Sequence, residues 1–142
     1  MASDIVSITT VTEAFSRLAR PANAGKFAAN IAHQNATFSA QAEPLLELKT
    51  LAQYADWMKA IMTVLPDARY DVKSFAADSA RNNVAAYGVF HSTHTGEGGP
   101  VPPTGKSMST DYVYVMQFED GKIAHMTKIW NAGLRFEELG WA

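Results

Sequence analysis

The chain has 142 residues, of which 47% are apolar and 18% are charged, with a formal net charge of -2 and no cysteine. This composition excludes a disordered chain, a disulfide framework, a thiol nucleophile and an iron–sulfur cluster. The sequence also lacks the basic stripe of a nucleic-acid-binding protein and the run of roughly 18 apolar residues that a membrane span needs. The first residues have no positively charged secretory start, so we expect a cytoplasmic protein. Its size predicts one domain, over residues 1–142.

The first half of the sequence predicts helices. Thr10 to Glu13 fits a capping box, and Pro21 ends the helix that follows it. Asn23 fits the cap of a second helix, and a short strand is expected over Ala36 to Ala40. A second capping box, Thr50 to Gln53, begins the clearest amphipathic helix of the chain. The apolar stripe of that helix consists of Leu51, Tyr54, Met58, Ile61, Met62 and Leu65.

After Pro66 the apolar pattern changes from helical to alternating, which predicts strands. Asp120-Gly121 is typical of a two-residue hairpin turn, because both central positions of a type I′ turn need a positive φ. A short helix is expected over about Leu134 to Leu139. The predicted strands are Tyr70 to Ala77, Val84 to Thr95, Ser109 to Glu119 and Ile123 to Trp130. Helices followed by an antiparallel meander indicate an α+β fold, with the helices on one face of a curved sheet that encloses a ligand site.

Five short segments of the second half occur in an order typical of one known family. They are Leu65-Pro66-Asp67, Thr93-His94-Thr95-Gly96, Pro102 to Lys106, Phe118 to Ile123, and Trp130 to Leu134 followed by Glu138-Leu139-Gly140. In these segments the chain resembles the SnoaL-like, polyketide cyclase-like family of the NTF2-like superfamily. The resemblance implies the NTF2-like cone, a cystatin-like α+β roll, with N-terminal helices packed on a curved, mostly antiparallel sheet.

The resemblance also implies a function. Members of the family include cyclases that close a ring by intramolecular aldol condensation without a metal or a cofactor. We therefore expect a protein that binds an apolar small molecule, with a cofactor-independent cyclase as the leading hypothesis. Two alternatives stay open, a non-catalytic small-molecule-binding module and another cone enzyme of the ketosteroid isomerase, dehydratase or epoxide hydrolase type. Many relatives carry an aspartate where this chain has Asn131, and an amide cannot act as a general base.

Aldol chemistry needs a base beside a carbonyl group and a donor for the developing oxyanion. Asp111 is the only acid within the strand that ends near Phe118, and His94 matches the motif histidine of the family. These two are the candidate catalytic residues, although the strand register decides whether Asp111 faces the interior. The candidate substrate-binding residues are Tyr54, Trp57, Phe90, His125, Trp130 and Asn131.

For several of these residues a structural role competes with the functional one. Tyr54 and Trp57 also fit an ordinary core, and His125 also fits a sheet residue whose polar atoms are satisfied by its neighbours. His91 and His94 lie three apart on a strand and so face opposite sides. With no clustered metal-ligand motif in the sequence, we expect neither a metal nor a cofactor.

The strand before the hairpin is apolar on both of its sides. Val113 and Val115 lie on one side, and Tyr112, Tyr114 and Met116 lie on the other. Only one of these sets can line the interior of a cone. We therefore expect a homodimer through the outer face of the sheet, which would bury the other set.

Overall fold

A computed structural model of the chain describes residues 32–141. The predicted helices after Thr10 and after Asn23 lie outside these residues. The described elements are strand β1 (Ala32–Ala40), a short 3-10 helix (Leu45–Glu47), helix α1 (Leu51–Val64), strands β2 (Arg69–Asp78), β3 (Asn83–Thr93), β4 (Ser107–Glu119) and β5 (Lys122–Trp130), and helix α2 (Ala132–Leu139).

The strands form one curved sheet in the order β1-β5-β4-β3-β2. Strands β2 to β5 make an antiparallel meander, and β1 lies parallel beside β5. The α+β fold class expected from the sequence is confirmed. Two bulges interrupt the antiparallel ladders, because Lys73 in β2 and Ala124 in β5 have no partner on the neighbouring strand, and the parallel β1–β5 pairing also changes register between Ala32 and Thr37. A bulge bends its strand and increases its twist, and here it contributes to the curvature.

Helix α1 begins at the capping box that the sequence predicts. The Gln53 backbone N–H donates to Thr50 Oγ1 at 3.1 Å, and the Thr50 backbone N–H donates to Gln53 Oε1 at 3.2 Å. The helix ends just before Leu65 and Pro66, since proline cannot continue it. Its buried stripe packs against β1 and includes Leu51, Tyr54, Met58 and Met62.

The β4–β5 hairpin also follows the prediction. Asp120 has φ 51° and Gly121 has φ 76°, so both central residues of the turn are in the left-handed region. Asparagine, aspartate and glycine tolerate this region best, and a turn of this kind matches the twist of the flanking strands.

The two faces of the sheet differ in burial. On β4, Tyr112, Tyr114 and Met116 are buried, whereas Asp111 is exposed and Val113 is half-buried. The buried side, against which α1 packs, is the inner face, and the opposite side is the outer face. No helix within residues 32–141 is long and apolar enough to cross a membrane.

Candidate functional site

A group of polar and aromatic side chains occupies the inner face of the sheet between α1 and α2. Most of its members are almost fully buried. Four tyrosines supply hydroxyl groups, and a lysine and an arginine supply positive charge. This interior cluster consists of Tyr54, Tyr70, Tyr112, Tyr114, Lys128, Trp130 and Arg135.

The tyrosine hydroxyls of the cluster are linked to one another. Tyr114 is hydrogen-bonded to Tyr54 through a short contact between the two hydroxyls, and Tyr70 Oη lies 3.2 Å from Tyr114 Oη. The Tyr112 ring packs edge-on against Tyr70, with ring centroids 5.1 Å apart. Burial raises the pKa of Tyr54, Tyr70 and Tyr114 above the usual value for a phenol. The hydroxyls therefore stay protonated at neutral pH and are able to donate hydrogen bonds.

Lys128 places an amine among these hydroxyls. It extends from β5 onto the inner face, is 4% exposed, and donates from Nζ to Tyr54 Oη at 3.2 Å. The same Nζ lies 4.2 Å from the centroid of the Trp130 ring. Burial lowers the pKa of the Lys128 amine well below its usual value, and the positive charge of Arg135 lowers it further. A neutral amine is a base, so this position supplies a group able to accept a proton.

Arg135 brings a second cation from the other side of the cluster. It lies with Ala132 and Leu139 on the buried face of α2 and is 1% exposed. Its guanidinium carbon is 4.8 Å from the Phe90 ring centroid and 4.6 Å from that of Trp130. Burial lowers the pKa of the guanidinium, which nevertheless keeps its charge, because arginine stays protonated in proteins.

Neither buried cation has a carboxylate partner among the described residues. The ion pairs within residues 32–141 join Asp71 to Lys73 and Asp78 to Arg81, both at the surface. The positive charge of Arg135 is therefore not balanced by a carboxylate within the part of the chain that the structure describes.

Within residues 32–141, three pockets open near the cluster, beside the end of β5. The first pocket has a volume of about 410 Å³ and is lined by residues 127–130 of β5, which include Lys128 and Trp130, and by residues 39–42 at the end of β1 and just after it. A second, of about 550 Å³, lies between residues 41–43 and the start of α2 and also includes Trp130. A third, of about 430 Å³, is lined by residues 109–113 of β4, which include Asp111, and by residues around Trp130. Trp130 contacts both Lys128 and Arg135 and lines all three pockets, so it lies between the interior cluster and the surface.

The expected substrate-binding residues fall into two groups. Tyr54 and Trp130 belong to the interior cluster, and Phe90 packs against Arg135 within it. The half-buried Trp57 ring stacks against Tyr54, with centroids 6.3 Å apart. These four side chains are therefore brought together on the inner face of the sheet, and their role as ligand contacts stays a prediction.

His125 and Asn131 lie elsewhere, although the sequence analysis names them as substrate-binding residues. His125 is on the outer face, where Nδ1 lies 2.6 Å from Thr37 Oγ1 and Nε2 lies 3.0 Å from Ser39 Oγ. Its ring thus joins β5 to β1. Asn131 is the N-cap of α2, and its Oδ1 accepts a hydrogen bond from the Leu134 backbone N–H at 3.0 Å. His125 thus uses both ring nitrogens, and Asn131 its carbonyl oxygen, in contacts within the protein, while Asn131 also borders the second pocket.

His94 is fully buried just beyond the end of β3. Its Nδ1 accepts hydrogen bonds from Trp141 Nε1 at 2.9 Å and from the Thr104 backbone N–H at 3.3 Å. Because Nδ1 is an acceptor, a neutral His94 carries its proton on Nε2, which has no hydrogen-bond partner among the described residues. His94 therefore connects the loop before β4, through Thr104, to the C-terminal segment, through Trp141.

Asp111 is on the outer face, one residue away from the inward-pointing Tyr112. It is exposed and accepts a hydrogen bond from the exposed Tyr87 hydroxyl at 3.1 Å. His94 continues the buried side of β3, so the two expected catalytic residues lie on opposite faces of the sheet and are not brought together. The register that the sequence left open thus directs Asp111 away from the interior cluster.

Five members of the interior cluster were missed as site residues. Tyr70, Tyr112 and Tyr114 are ordinary strand aromatics in the sequence, and Lys128 and Arg135 look like exposed charges there. One signal was present for Arg135, which falls at the same helical spacing as the apolar Ala132 and Leu139. Nothing comparable marks Lys128, because the bulge at Ala124 changes which residues of β5 face inward. Within residues 32–141, no group of three or more histidine, cysteine or acidic side chains is arranged to hold a metal ion.

The sequence matches the family model described as SnoaL-like polyketide cyclase over residues 10–133. The chain therefore belongs to the SnoaL-like family, and the resemblance noted in its sequence motifs is confirmed. Comparison with curated protein sequences gives no significant match.

Solved structures share the NTF2-like fold at low sequence identity. AclR from Streptomyces galilaeus, a proposed hydroxylase, aligns with a TM-score of 0.72 at 21% identity, covering 96% of this chain and 88% of AclR. IdmH from Streptomyces antibioticus, a proposed polyketide cyclase, has a TM-score of 0.75 at 17% identity over 93% of this chain and 96% of IdmH. TerC, crystallised with polyporic acid, has a TM-score of 0.70 at 16% identity over 94% and 97%. Because these proteins are described by different activities, the likeness identifies the fold and leaves the reaction open.

Proposed function

We propose that this protein binds a largely apolar, carbonyl-bearing small molecule against the inner face of the sheet and moves protons on it without a cofactor. The reaction class is an aldol-type cyclisation or a related enolisation. Membership of the SnoaL-like family supports the ligand class. The structural observation that carries the proposal is the contact between the buried Lys128 amine and the Tyr54 hydroxyl.

This contact has the properties of a general base paired with a hydrogen-bond donor. The Lys128 amine has its pKa lowered by burial, which makes the neutral form available nearer to neutral pH. Tyr54 is hydrogen-bonded to Tyr114, which in turn contacts Tyr70. The linked hydroxyls provide donors for an oxyanion and a short path for a proton.

In the proposed reaction a proton moves from the substrate to Lys128 and back. Lys128 Nζ accepts a proton from the carbon beside a substrate carbonyl, the C–H bond breaks, and its electron pair forms an enolate. Tyr54 donates a hydrogen bond to the enolate oxygen. In a cyclisation the enolate carbon then attacks a second carbonyl of the same molecule, and the resulting alkoxide takes the proton back from the Lys128 ammonium through the tyrosine hydroxyls. No net proton, electron or co-reactant is consumed.

The proposal replaces the general base named in the sequence analysis. An outward carboxylate such as Asp111 cannot reach a ligand held against the inner face, since the sheet lies between them. We therefore give the proton-transfer role to Lys128. The non-catalytic binding module is the rival hypothesis, because the same aromatic wall would hold an apolar ligand without any chemistry.

Deuterium exchange separates the two hypotheses without knowledge of the natural substrate. The probe is β-tetralone, an aromatic bicyclic ketone, whose exchange at the carbon beside the carbonyl is followed by mass spectrometry in D₂O. We expect the wild-type protein to accelerate exchange and Lys128→Met to lower that acceleration by about 10²-fold or more. The matched control is Lys122→Met, which removes an exposed lysine from the same strand and should exchange like the wild type.

Two further measurements complete the test. Asp111→Asn should leave the exchange rate unchanged, and a large loss would return the catalytic role to the outer-face carboxylate. Quenching of tryptophan fluorescence reports probe binding separately. Binding without accelerated exchange in the wild type would identify a binding module and overturn the catalytic proposal.

A further inference from the structure

We propose that Arg135, together with Trp130, forms an anion-binding site that holds an ionised oxygen of an aromatic ligand, either a carboxylate or an ionised enol. The inference rests on the proposed function in one respect, namely that the ligand lies against the inner face of the sheet. It adds the charge of the ligand and the residues that select it.

The first observation is a group of buried donors without acceptors. Arg135 Nε and Nη2 and Trp130 Nε1 are all inaccessible to solvent and have no hydrogen-bond partner among the described residues. Buried polar atoms are satisfied in the great majority of cases. These three atoms belong to two side chains that contact each other, and each of them is able to donate. An acceptor-rich ligand group would satisfy them.

The second observation is the charge of the site. Lys128 and Arg135 are both buried and close enough for the arginine to affect the titration of the lysine. No carboxylate within residues 32–141 forms an ion pair with either side chain. Burying a cation without a counter-charge is costly, and a ligand anion would offset that cost.

The third observation is the way Arg135 is held. Its guanidinium carbon lies 4.8 Å from the Phe90 ring centroid and 4.6 Å from the Trp130 ring centroid. Contacts of this kind restrict the orientation of a planar group before any ligand arrives. A guanidinium presents a rigid fork of N–H donors that matches the two oxygens of a carboxylate. The surrounding aromatic rings favour a flat, apolar body for the rest of the ligand.

A pair of nearly identical ligands tests the inference. The probes are naphthoate, an aromatic carboxylate, and naphthamide, its uncharged counterpart of the same shape. Affinities are measured by isothermal titration calorimetry at neutral pH. We expect the wild-type protein to prefer naphthoate by roughly ten- to a hundredfold, the usual worth of hydrogen bonds to a charged group.

Variants then test which residues cause the preference for naphthoate over naphthamide. Arg135→Met should abolish it while naphthamide affinity stays within a few-fold of wild type, and Arg135→Lys should restore part of it through the charge. Arg69→Met removes an exposed arginine of β2 and should keep the full preference. Trp130→Phe keeps an aromatic ring but removes the indole N–H together with part of the ring, so it tests the site even if Arg135→Met fails to fold, and naphthamide affinity reports the effect of the lost ring area. We expect Trp130→Phe to lower the preference several-fold.

The results distinguish this inference from the proposed function. If wild-type protein binds both probes equally, the anion site is refuted, whereas accelerated exchange on the uncharged β-tetralone would still support the proposed function. A preference that survives both Arg135→Met and Trp130→Phe would place the anion elsewhere and also overturn the inference. Failure to bind either probe and failure to accelerate exchange would refute both proposals.

Discussion

At the scale of single residues, the two basic side chains that face inward are costly features of the described structure. Lys128 and Arg135 give up their hydration without gaining an acidic partner among residues 32–141. Contacts with the Phe90 and Trp130 rings offset about 1–2 kcal/mol of this cost for the charged Arg135. Groups that cost stability at a buried site are common where a function depends on them. We therefore expect their removal to affect stability and function in opposite directions.

Lys128→Met should stabilise the fold while it removes proton transfer. The folded-state pKa of Lys128 lies well below the usual 10.5, so between these two values the unfolded chain binds a proton that the folded chain does not. The wild-type free energy of unfolding should therefore rise with pH across that window, and the variant should lose this slope. At neutral pH we expect the variant to be about 1–4 kcal/mol more stable, the range seen when buried ionic groups are replaced by apolar ones.

Urea unfolding of both proteins at neutral and mildly alkaline pH measures this effect. Lys122→Met serves as the control, because its side chain is exposed and its charge is hydrated in both states. A clear loss of stability in Lys128→Met at neutral pH would show that the lysine is mainly structural, through its bond to Tyr54, and would argue against the proposed base.

At the scale of elements, two local features determine the interior cluster. The bulge at Ala124 lets Ile123 and Met126 both face inward, so that His125 turns outward and Lys128 turns inward. Helix α2 starts directly after β5 and places Arg135 one turn after its cap. A strand with a bulge and a short capped helix thus bring two cations from neighbouring segments to one place.

Asn131 is expected to act through this helix and not through the ligand. Asn131→Ala removes the N-cap acceptor and should lower the free energy of unfolding by about 0.5–2 kcal/mol. Asn131→Asp keeps the acceptor, and its charge is favourable at a helix N-terminus, so stability should be retained. Urea unfolding measures both variants, with naphthamide affinity as the second readout. If Asn131→Ala lost naphthamide affinity at unchanged stability, Asn131 would instead be a ligand contact.

At the scale of the whole molecule, the outer face of the sheet carries exposed apolar side chains. Ile129 is 57% exposed and Tyr87 is 40% exposed, and the half-buried Val113 and Val115 lie on the same side. This combination is unusual for a surface that faces only water. A second copy of the chain presents the same surface, so a symmetric contact would cover both at once.

We therefore expect a homodimer through the outer face. Ile129→Asp places a charge within that contact and should give a monomer in sedimentation velocity at micromolar concentration, where the wild type sediments as a dimer. Leu46→Asp alters an exposed leucine of the short 3-10 helix and should leave the dimer intact. A monomeric wild type at that concentration would contradict the expectation.

Local patterns in the sequence were sufficient for much of the fold. The Thr50 capping box, the Asp120-Gly121 turn and the alternation along β4 depend on residues within a few positions of one another. Local chemistry of this kind is readable from one chain, and the motifs of the second half identified the family. The α+β fold class followed from the change in apolar periodicity after Pro66, from a helical to an alternating pattern.

The composition of the site was decided by tertiary structure. Alternation along β4 shows that Asp111 and Tyr112 face opposite sides, but both sides are apolar enough to be the core, and only the packing of α1 selects one. The contact between Tyr54 and Tyr114 joins residues 60 positions apart, and that between Tyr54 and Lys128 joins residues 74 apart. A single unpaired residue in β5 reverses the direction of every side chain before it relative to those after it. The periodicity of the apolar residues therefore determined the helices and strands, whereas strand register and the bulge at Ala124 determined which basic side chains are buried.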